Sequence, residues 1–327
     1  MVYDKKIVVI GTGGTIAGQS GSAEDLTGYQ AGELSIEQVL ATVPGVEGYG
    51  PFESHQLCNI DSSDMTMTIW AKLAHTVQVY VDREDVVAVV ITHGTDTLEE
   101  GSYFLHLTVR TTKPIVMVGA MRPATAISAD GPLNLLQAVQ IARSPQAVGQ
   151  GVLVTLNGTI NCARDVVKQH TTDVAAFGNS FFGHLGFVQD GQAHFYYQTL
   201  RKHTANSEFA PLSTETLPKV ALITLYGGVE AELIHQVLQG KPHGIVLAGL
   251  GHGILPEKIQ QIVEHSDIPI VRSSRTGSGM VSAMPSDSRF GFIVSDTLAP
   301  SKARLLLMLG LTKTTDRKQL QAYFEQY

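Results

Sequence analysis

The sequence predicts an α/β protein: a larger N-terminal domain with a mainly parallel sheet flanked by helices, linked to a smaller C-terminal α/β domain. Three observations predict it. Short β-branched runs alternate with longer amphipathic ones along most of the chain. The strand runs are continuously apolar, as strands covered on both faces are. The alternation lapses near residues 188–218, where Pro211, a Ser213-Thr214-Glu215-Thr216 cluster and Pro218 read as a linker.

The apolar runs place strands at residues 7–10, 86–91, 115–118, 152–156, 220–225, 245–248 and 268–271. Helical patterns lie between them at 35–43, 66–81, 98–109, 133–142, 231–238, 256–264 and 301–311. Within 98–109, Leu98, Ser102, Leu105 and Val109 follow the 3.6-residue period. Gln189-Asp190-Gly191-Gln192 reads as a hairpin turn between two short β runs. The expected division is therefore an N-terminal domain at 1–198, a linker at 199–218 and a C-terminal domain at 219–327.

Composition narrows the function classes. Apolar residues make up 43% of the 327 residues and charged residues 16%, enough for a sizeable core in about two domains. The net charge is −7 and no Lys/Arg run offers a path for a phosphate backbone, so nucleic acid is not an expected partner. No apolar stretch reaches the ~18 residues of a membrane span. The first apolar run, 7–10, is too short for the core of a secretory leader and reads as a buried strand. Cys58 and Cys162 form no CxxC and read as small buried residues in a reducing compartment. A cytoplasmic location follows, with the periplasm as the alternative had a leader been removed. Twelve histidines yield no HExxH and no paired His/Cys spacing, so no metal or other cofactor is expected.

Two loops carry the chemistry. The first, Gly11-Thr12-Gly13-Gly14-Thr15-Ile16-Ala17-Gly18, follows the first strand. It is not a phosphate cradle: the dinucleotide pattern would need glycine at Ile16, and Gln19 stands where a P-loop lysine would reach the phosphates. What remains is a loop that presents hydroxyls. The second, Thr92-His93-Gly94-Thr95-Asp96-Thr97-Leu98-Glu99-Glu100, follows the strand at 86–91 and opens a helix. Asp96 or Thr97 could be only an N-cap, with Glu99 and Glu100 complementing the helix dipole. Capping does not account for two Gly-Thr loops after two strands of one parallel sheet, whose carboxyl edge is where ligands bind.

Together the two loops resemble the signature motifs of bacterial-type L-asparaginases and glutaminase-asparaginases, closest to the type II branch. Further matches run in order along both domains: Asp61-Ser62-Ser63-Asp64-Met65, Gly119-Ala120-Met121-Arg122-Pro123, the run from Ser128 to Leu135, Asp165-Val166-Val167-Lys168, Thr172-Asp173, and Val271-Arg272-Ser273-Ser274-Arg275. The resemblance implies hydrolysis of the side-chain amide of L-asparagine to L-aspartate and ammonia, with L-glutamine as a secondary substrate. It places the nucleophile at Thr15, assisted by Tyr29 on the glycine-bearing loop 18–32, which would act as a lid. It makes Thr95, Lys168 and Asp96 a second group, Asp96 accepting the substrate's α-ammonium. Ser62 and Ser63 fall in the loop that binds the α-carboxylate. It implies a homotetramer built as a dimer of dimers, each site completed by the C-terminal domain of a neighbour.

The sequence departs from the family pattern at two positions. Ser63 stands where many members carry Gln or Glu. Met284 stands where the family usually has an interface Glu, and a thioether cannot bind an ammonium as a carboxylate does. His252 occupies a second interface position. Two alternatives stay open: a glutaminase-asparaginase using both amides comparably, and a non-catalytic relative that only binds small acidic amino acids.

Overall fold

The apolar run at 7–10 is buried without remainder in strand β1 (Lys6–Gly13), because helices cover both faces of its sheet. Each such Ile or Val side chain contributes about 1.5–3 kcal/mol on burial, which is why these runs set the frame. The computed structural model describes residues 4–24, 28, 30–179, 181–214, 216–264 and 266–327. The chain divides into two compact units, Met1–Glu215 and Thr216–Tyr327.

The strands of the first unit after β1 are β2 (Phe52–Ile60), β3 (Val86–Thr92), β4 (Ile115–Val118), β5 (Val152–Leu156), β6 (Thr159–Cys162), β7 (Val167–Lys168), β8 (Phe177–Gly178), β9 (Gly186–Gln189) and β10 (Gln192–Phe195). Its helices are α1 (Ile36–Ala41), α2 (Met67–Asp82), α3 (Leu98–Thr108) and α4 (Gly131–Arg143). An eight-stranded sheet runs β10-β9-β6-β5-β4-β3-β1-β2 among the described residues. Strands β2, β1, β3, β4 and β5 are parallel; β6, β9 and β10 join antiparallel. The order 2-1-3-4-5 reverses direction between β1 and β3, which is where a ligand crevice opens in such sheets. One face packs Ile7, Val9, Val90 and Val116 against Ile36, Leu135 and Val139 of α1 and α4. Helices α2 and α3 pack together and reach β3 and β5. Strands β7 and β8 form a separate two-stranded ribbon.

The second unit holds the parallel sheet β11 (Val220–Thr224), β12 (Gly244–Gly249), β13 (Ile270–Ser274) and β14 (Ile293–Val294), in that order. Its helices are α5 (Ala231–Gln239), α6 (Glu257–Val263), α7 (Pro285–Phe290), α8 (Pro300–Leu311) and α9 (Arg317–Gln326). Ile223, Ile234, Ile245, Leu247, Ile259 and Ile270 form its core.

Local signals explain several boundaries. Ser35 and Gln38 form a reciprocal capping box that starts α1, and Thr66 caps α2. The expected hairpin forms, with Asp190 and Gly191 both at positive φ, as a two-residue turn of the primed type requires. Residues 199–212 run along the first unit: Leu212 N–H donates to Thr108 O, and Phe209 is buried. The expected strand at 268–271 begins later, at Ile270, because Pro269 cannot donate to a ladder.

Candidate active site

The two Gly-Thr loops leave the carboxyl ends of adjacent strands β1 and β3 and touch. Thr12 Oγ1 donates to Thr92 O at 2.9 Å. Gly14 has φ +78°, and a Cβ there would lie 2.3 Å from Gly94 Cα, so both loops need glycine to approach this closely. A Cβ on Gly94 would meet Ser62 Oγ at 2.6 Å, which brings the loop after β2 into the same contact. Thr15, Ser62 and Thr95 are all buried at this junction.

Ser62 is held on both sides. Its Oγ accepts from Asp96 N–H at 3.1 Å, and its carbonyl accepts from Thr97 Oγ1 at 2.8 Å. Ser63 turns inward on its own loop: its N–H and its hydroxyl both donate to Asp61 Oδ1 at 2.8 Å. The loop after Thr15 is anchored at its base, where Gln19 and Gln30 exchange backbone hydrogen bonds, and by Ile127 N–H donating to Ala23 O. Tyr29, the expected helper of Thr15, lies outside the described residues.

Lys168 is not a solvated surface lysine. Its Nζ donates to Thr95 Oγ1 at 3.0 Å and to Asp96 Oδ1 at 2.6 Å, and its side chain is 19% exposed. It stands on the small β7–β8 ribbon, opposite Phe177. Its backbone N–H donates to Glu99 Oε2 at 2.7 Å. Glu99 was legible in the sequence only as a first-turn acid of α3, and nothing in its spacing announced a contact 69 residues away. Asp96, Glu99, Lys168, Gln169, His170 and Thr171 line an open cleft beside the threonine junction.

His93 adjoins this group without joining it. It is fully buried, and desolvation pushes its imidazole down to about pKa 4, against a smaller upward pull from the Gly94 carbonyl. Its Nδ1 lies 2.7 Å from Gly94 O, so the neutral ring carries its proton there and pins the loop. His93 Nε2 has no hydrogen-bond partner among the described residues.

In the second unit, His252 and Met284 lie on two loops tied by one guanidinium. Arg272 Nη1 donates to His252 O and Nη2 to Ser282 O, each at 2.7 Å. Arg272 also grips Asp287 through Nε and Nη2, both at 2.7 Å. Asp287 Oδ2 accepts the N–H of Met284 at 2.6 Å. His252 Nε2 accepts from Ser282 N–H at 3.1 Å, so its ring proton sits on Nδ1.

Residues 6–201 match the family model "Asparaginase, N-terminal", and residues 219–324 match "Glutaminase/Asparaginase C-terminal domain". The chain belongs to the asparaginase family. Among asparaginase relatives, a Haemophilus influenzae protein named "Probable L-asparaginase periplasmic" is 41% identical over 98% of this chain and 93% of its own length. The "Glutaminase-asparaginase" of Pseudomonas fluorescens biotype A is 39% identical over 98% of this chain and 90% of its own. A solved structure titled "Crystal Structure of Probable Cytoplasmic L-asparaginase from Campylobacter jejuni" superposes with TM-score 0.95 at 42% identity, covering 99% of this chain and all of that one. No described helix is long and apolar enough to cross a membrane.

Proposed function

We propose that this chain is an L-asparaginase. It hydrolyses the side-chain amide of L-asparagine to L-aspartate and ammonia through an acyl-enzyme on Thr15, with L-glutamine as a secondary substrate. The observation that carries this reading is the Lys168 ammonium shared between the Thr95 hydroxyl and the Asp96 carboxylate beside the buried Thr15 loop. A threonine hydroxyl needs help to lose its proton, and a cation 3.0 Å from its oxygen stabilises developing negative charge there.

In this mechanism Thr15 Oγ attacks the amide carbon with Tyr29 assisting: the phenol oxygen receives the threonine proton as its own proton passes on towards the departing amide nitrogen. Backbone N–H groups of the two loops receive the tetrahedral oxyanion. The amide nitrogen takes up a proton and leaves as ammonia. Water, polarised by Thr95 and Lys168, then cleaves the ester, releasing aspartate and restoring Thr15. Asp96 binds the substrate's α-ammonium. Ser62 and Ser63 sit in the loop that meets its α-carboxylate, Ser62 being held by Asp96 N–H and Thr97.

A glutaminase-asparaginase with comparable use of both amides is the second reading, favoured by the 39% identity to a relative so named. Ammonia release from L-Asn, L-Gln and D-Asn, assayed in parallel, decides between them. No release from any amide would leave only the binding-protein reading.

The proposed assembly is a homotetramer, a dimer of dimers, in which His252 and Met284 of one subunit approach the site of its neighbour. A fully active 35.1 kDa monomer in light scattering would overturn it. The proposed compartment is the cytoplasm, in keeping with two free cysteines. The relatives divide, one named periplasmic and one cytoplasmic. Cell fractionation tests it.

A further inference from the structure

We infer that Glu99 is a positioning residue for Lys168: its carboxylate holds the backbone of the lysine, and so fixes where the ammonium meets Thr95 and Asp96. The inference rests on the proposed role of Lys168.

The ribbon that carries Lys168 is short. Strands β7 and β8 have two residues each and belong to neither large sheet. Its ladder ties Lys168 to Phe177, and Gln169 N–H donates to Ala176 O at 2.7 Å, but those bonds hold the ribbon to itself. Glu99 Oε2 instead accepts the Lys168 N–H at 2.7 Å from the first turn of α3, the helix that begins directly after Thr95, Asp96 and Thr97. The lysine is thus gripped at both ends by one segment. Its main chain bonds to residue 99, and its ammonium bonds to residues 95 and 96. A four-carbon side chain has many rotamers, and a fixed root restricts where its tip can go. A charged acceptor for a backbone N–H also makes a stronger bond than a neutral one.

A first-turn acid has a simpler use, complementing the helix dipole. The two roles differ in what they require. Dipole complementation needs the negative charge. Holding the Lys168 N–H needs an acceptor oxygen at the end of a side chain of this length, and glutamine supplies one.

The test is steady-state kinetics on L-asparagine for E99A, E99Q and K168M, with thermal unfolding of each. E99A should lower kcat about 10- to 100-fold, the scale of a catalytic group displaced by an ångström or so. KM should not rise with it, because a displaced Lys168 leaves Asp96 freer for the substrate ammonium. E99Q should recover kcat to within a few-fold of the parent enzyme. Equal losses in E99A and E99Q would assign Glu99 to the dipole alone and overturn the inference. So would an E99A enzyme with unchanged kcat, or one whose loss lies wholly in KM. K168M separates the two levels. If K168M is inactive while E99A turns over normally, only the Glu99 inference falls. If K168M itself remains active, the role of Lys168 falls and Glu99 with it.

Discussion

Arg272 meets Asp287 through two contacts of 2.7 Å, with their side chains 2% and 5% exposed. Lys168 meets Asp96 through a single contact of 2.6 Å, with side chains 19% and 59% exposed. The first pair is a bidentate fork sealed among backbone carbonyls, and its carboxylate also accepts the Met284 N–H. The second is monodentate, open on the carboxylate side and shared with a hydroxyl. A pair that must exchange partners with a charged ligand needs exposure and spare acceptor capacity. A pair that fixes loops needs neither. The pairs join residues 15 and 72 positions apart in sequence, and it is geometry and solvation, not charge identity, that set the proposed site apart from the strut.

The open cluster is where substitution should remove rate without removing fold. The largest effect is expected for Thr15→Ala, which deletes the proposed nucleophile. Turnover of L-asparagine should fall by several orders of magnitude. Thermal unfolding should change little, since the close approach of Gly14 to Gly94 and the Thr12 Oγ1 bond to Thr92 O both remain in the variant. Near-normal ammonia release by Thr15→Ala would remove Thr15 from the mechanism.

The contrast between the pairs is sharpened by cutting each carboxylate and measuring stability. Asp287→Ala leaves a buried guanidinium unpaired and should cost about 3–5 kcal/mol. Asp96→Ala removes the more exposed partner of an open pair and should cost no more than about 1 kcal/mol. Urea unfolding of both variants gives the comparison directly. Equal costs would mean that the Lys168–Asp96 pair is a strut as well, and its openness no guide to function.

His93 supplies a pH-dependent test within the first unit. Its folded pKa, about 4, lies below the ordinary histidine value. The neutral ring therefore favours the folded state above pH ~6.5, and that contribution is lost as pH falls towards 4, where the unfolded chain binds the extra proton. The loss should reach about 2–3 kcal/mol by pH ~4.5. His93→Asn keeps a donor near the Nδ1 position and does not titrate, so its stability should fall less steeply over that window. Parallel slopes for the two proteins would mean that His93 is not the buried neutral group described.

The frame of the site was legible in the sequence because β1 and β3 are buried on both faces and read as unbroken apolar runs. Strand β2 was not expected. It is an edge strand, half-exposed along most of its length, so Phe52–Ile60 carries Glu53, Ser54, His55 and Gln56 where a central strand would carry Val and Ile. Helix α9 was missed for a related reason: only Leu320, Tyr323 and Phe324 of it are buried, beneath a polar surface. Thr15, Thr95 and Asp96 stood out from glycine-framed loops. Lys168 stood out only through resemblance, since a lone lysine on a two-residue strand has no period or motif of its own. Glu99 had an adequate local explanation in the helix dipole, and that explanation concealed its long-range bond.

The smallest expected effect belongs to Met284, and it bears on whether the two units' pairs meet in function. Met284 is the N-cap residue before α7, its N–H held by the Asp287 carboxylate that Arg272 grips, so its backbone is fixed even though its side chain is uncharged. In the proposed assembly that side chain faces a neighbour's substrate, where a carboxylate would give the α-ammonium a second partner beside Asp96. Met284→Glu should then lower KM for L-asparagine a few-fold, at most about tenfold or 1.4 kcal/mol. It should act less on L-glutamine, whose longer side chain sets its ammonium at another distance from the amide. An opposing effect is built in, because a new carboxylate beside Asp287 repels it and costs stability when no substrate is bound. Kinetics on both amides, with unfolding measured in the presence and absence of L-aspartate, separate the two effects. Lower stability that L-aspartate restores, together with a lower KM, supports the placement. Unchanged KM values and an unchanged Asn-to-Gln preference would mean that residue 284 does not reach a substrate, and the Arg272–Asp287 strut would then serve the second unit alone.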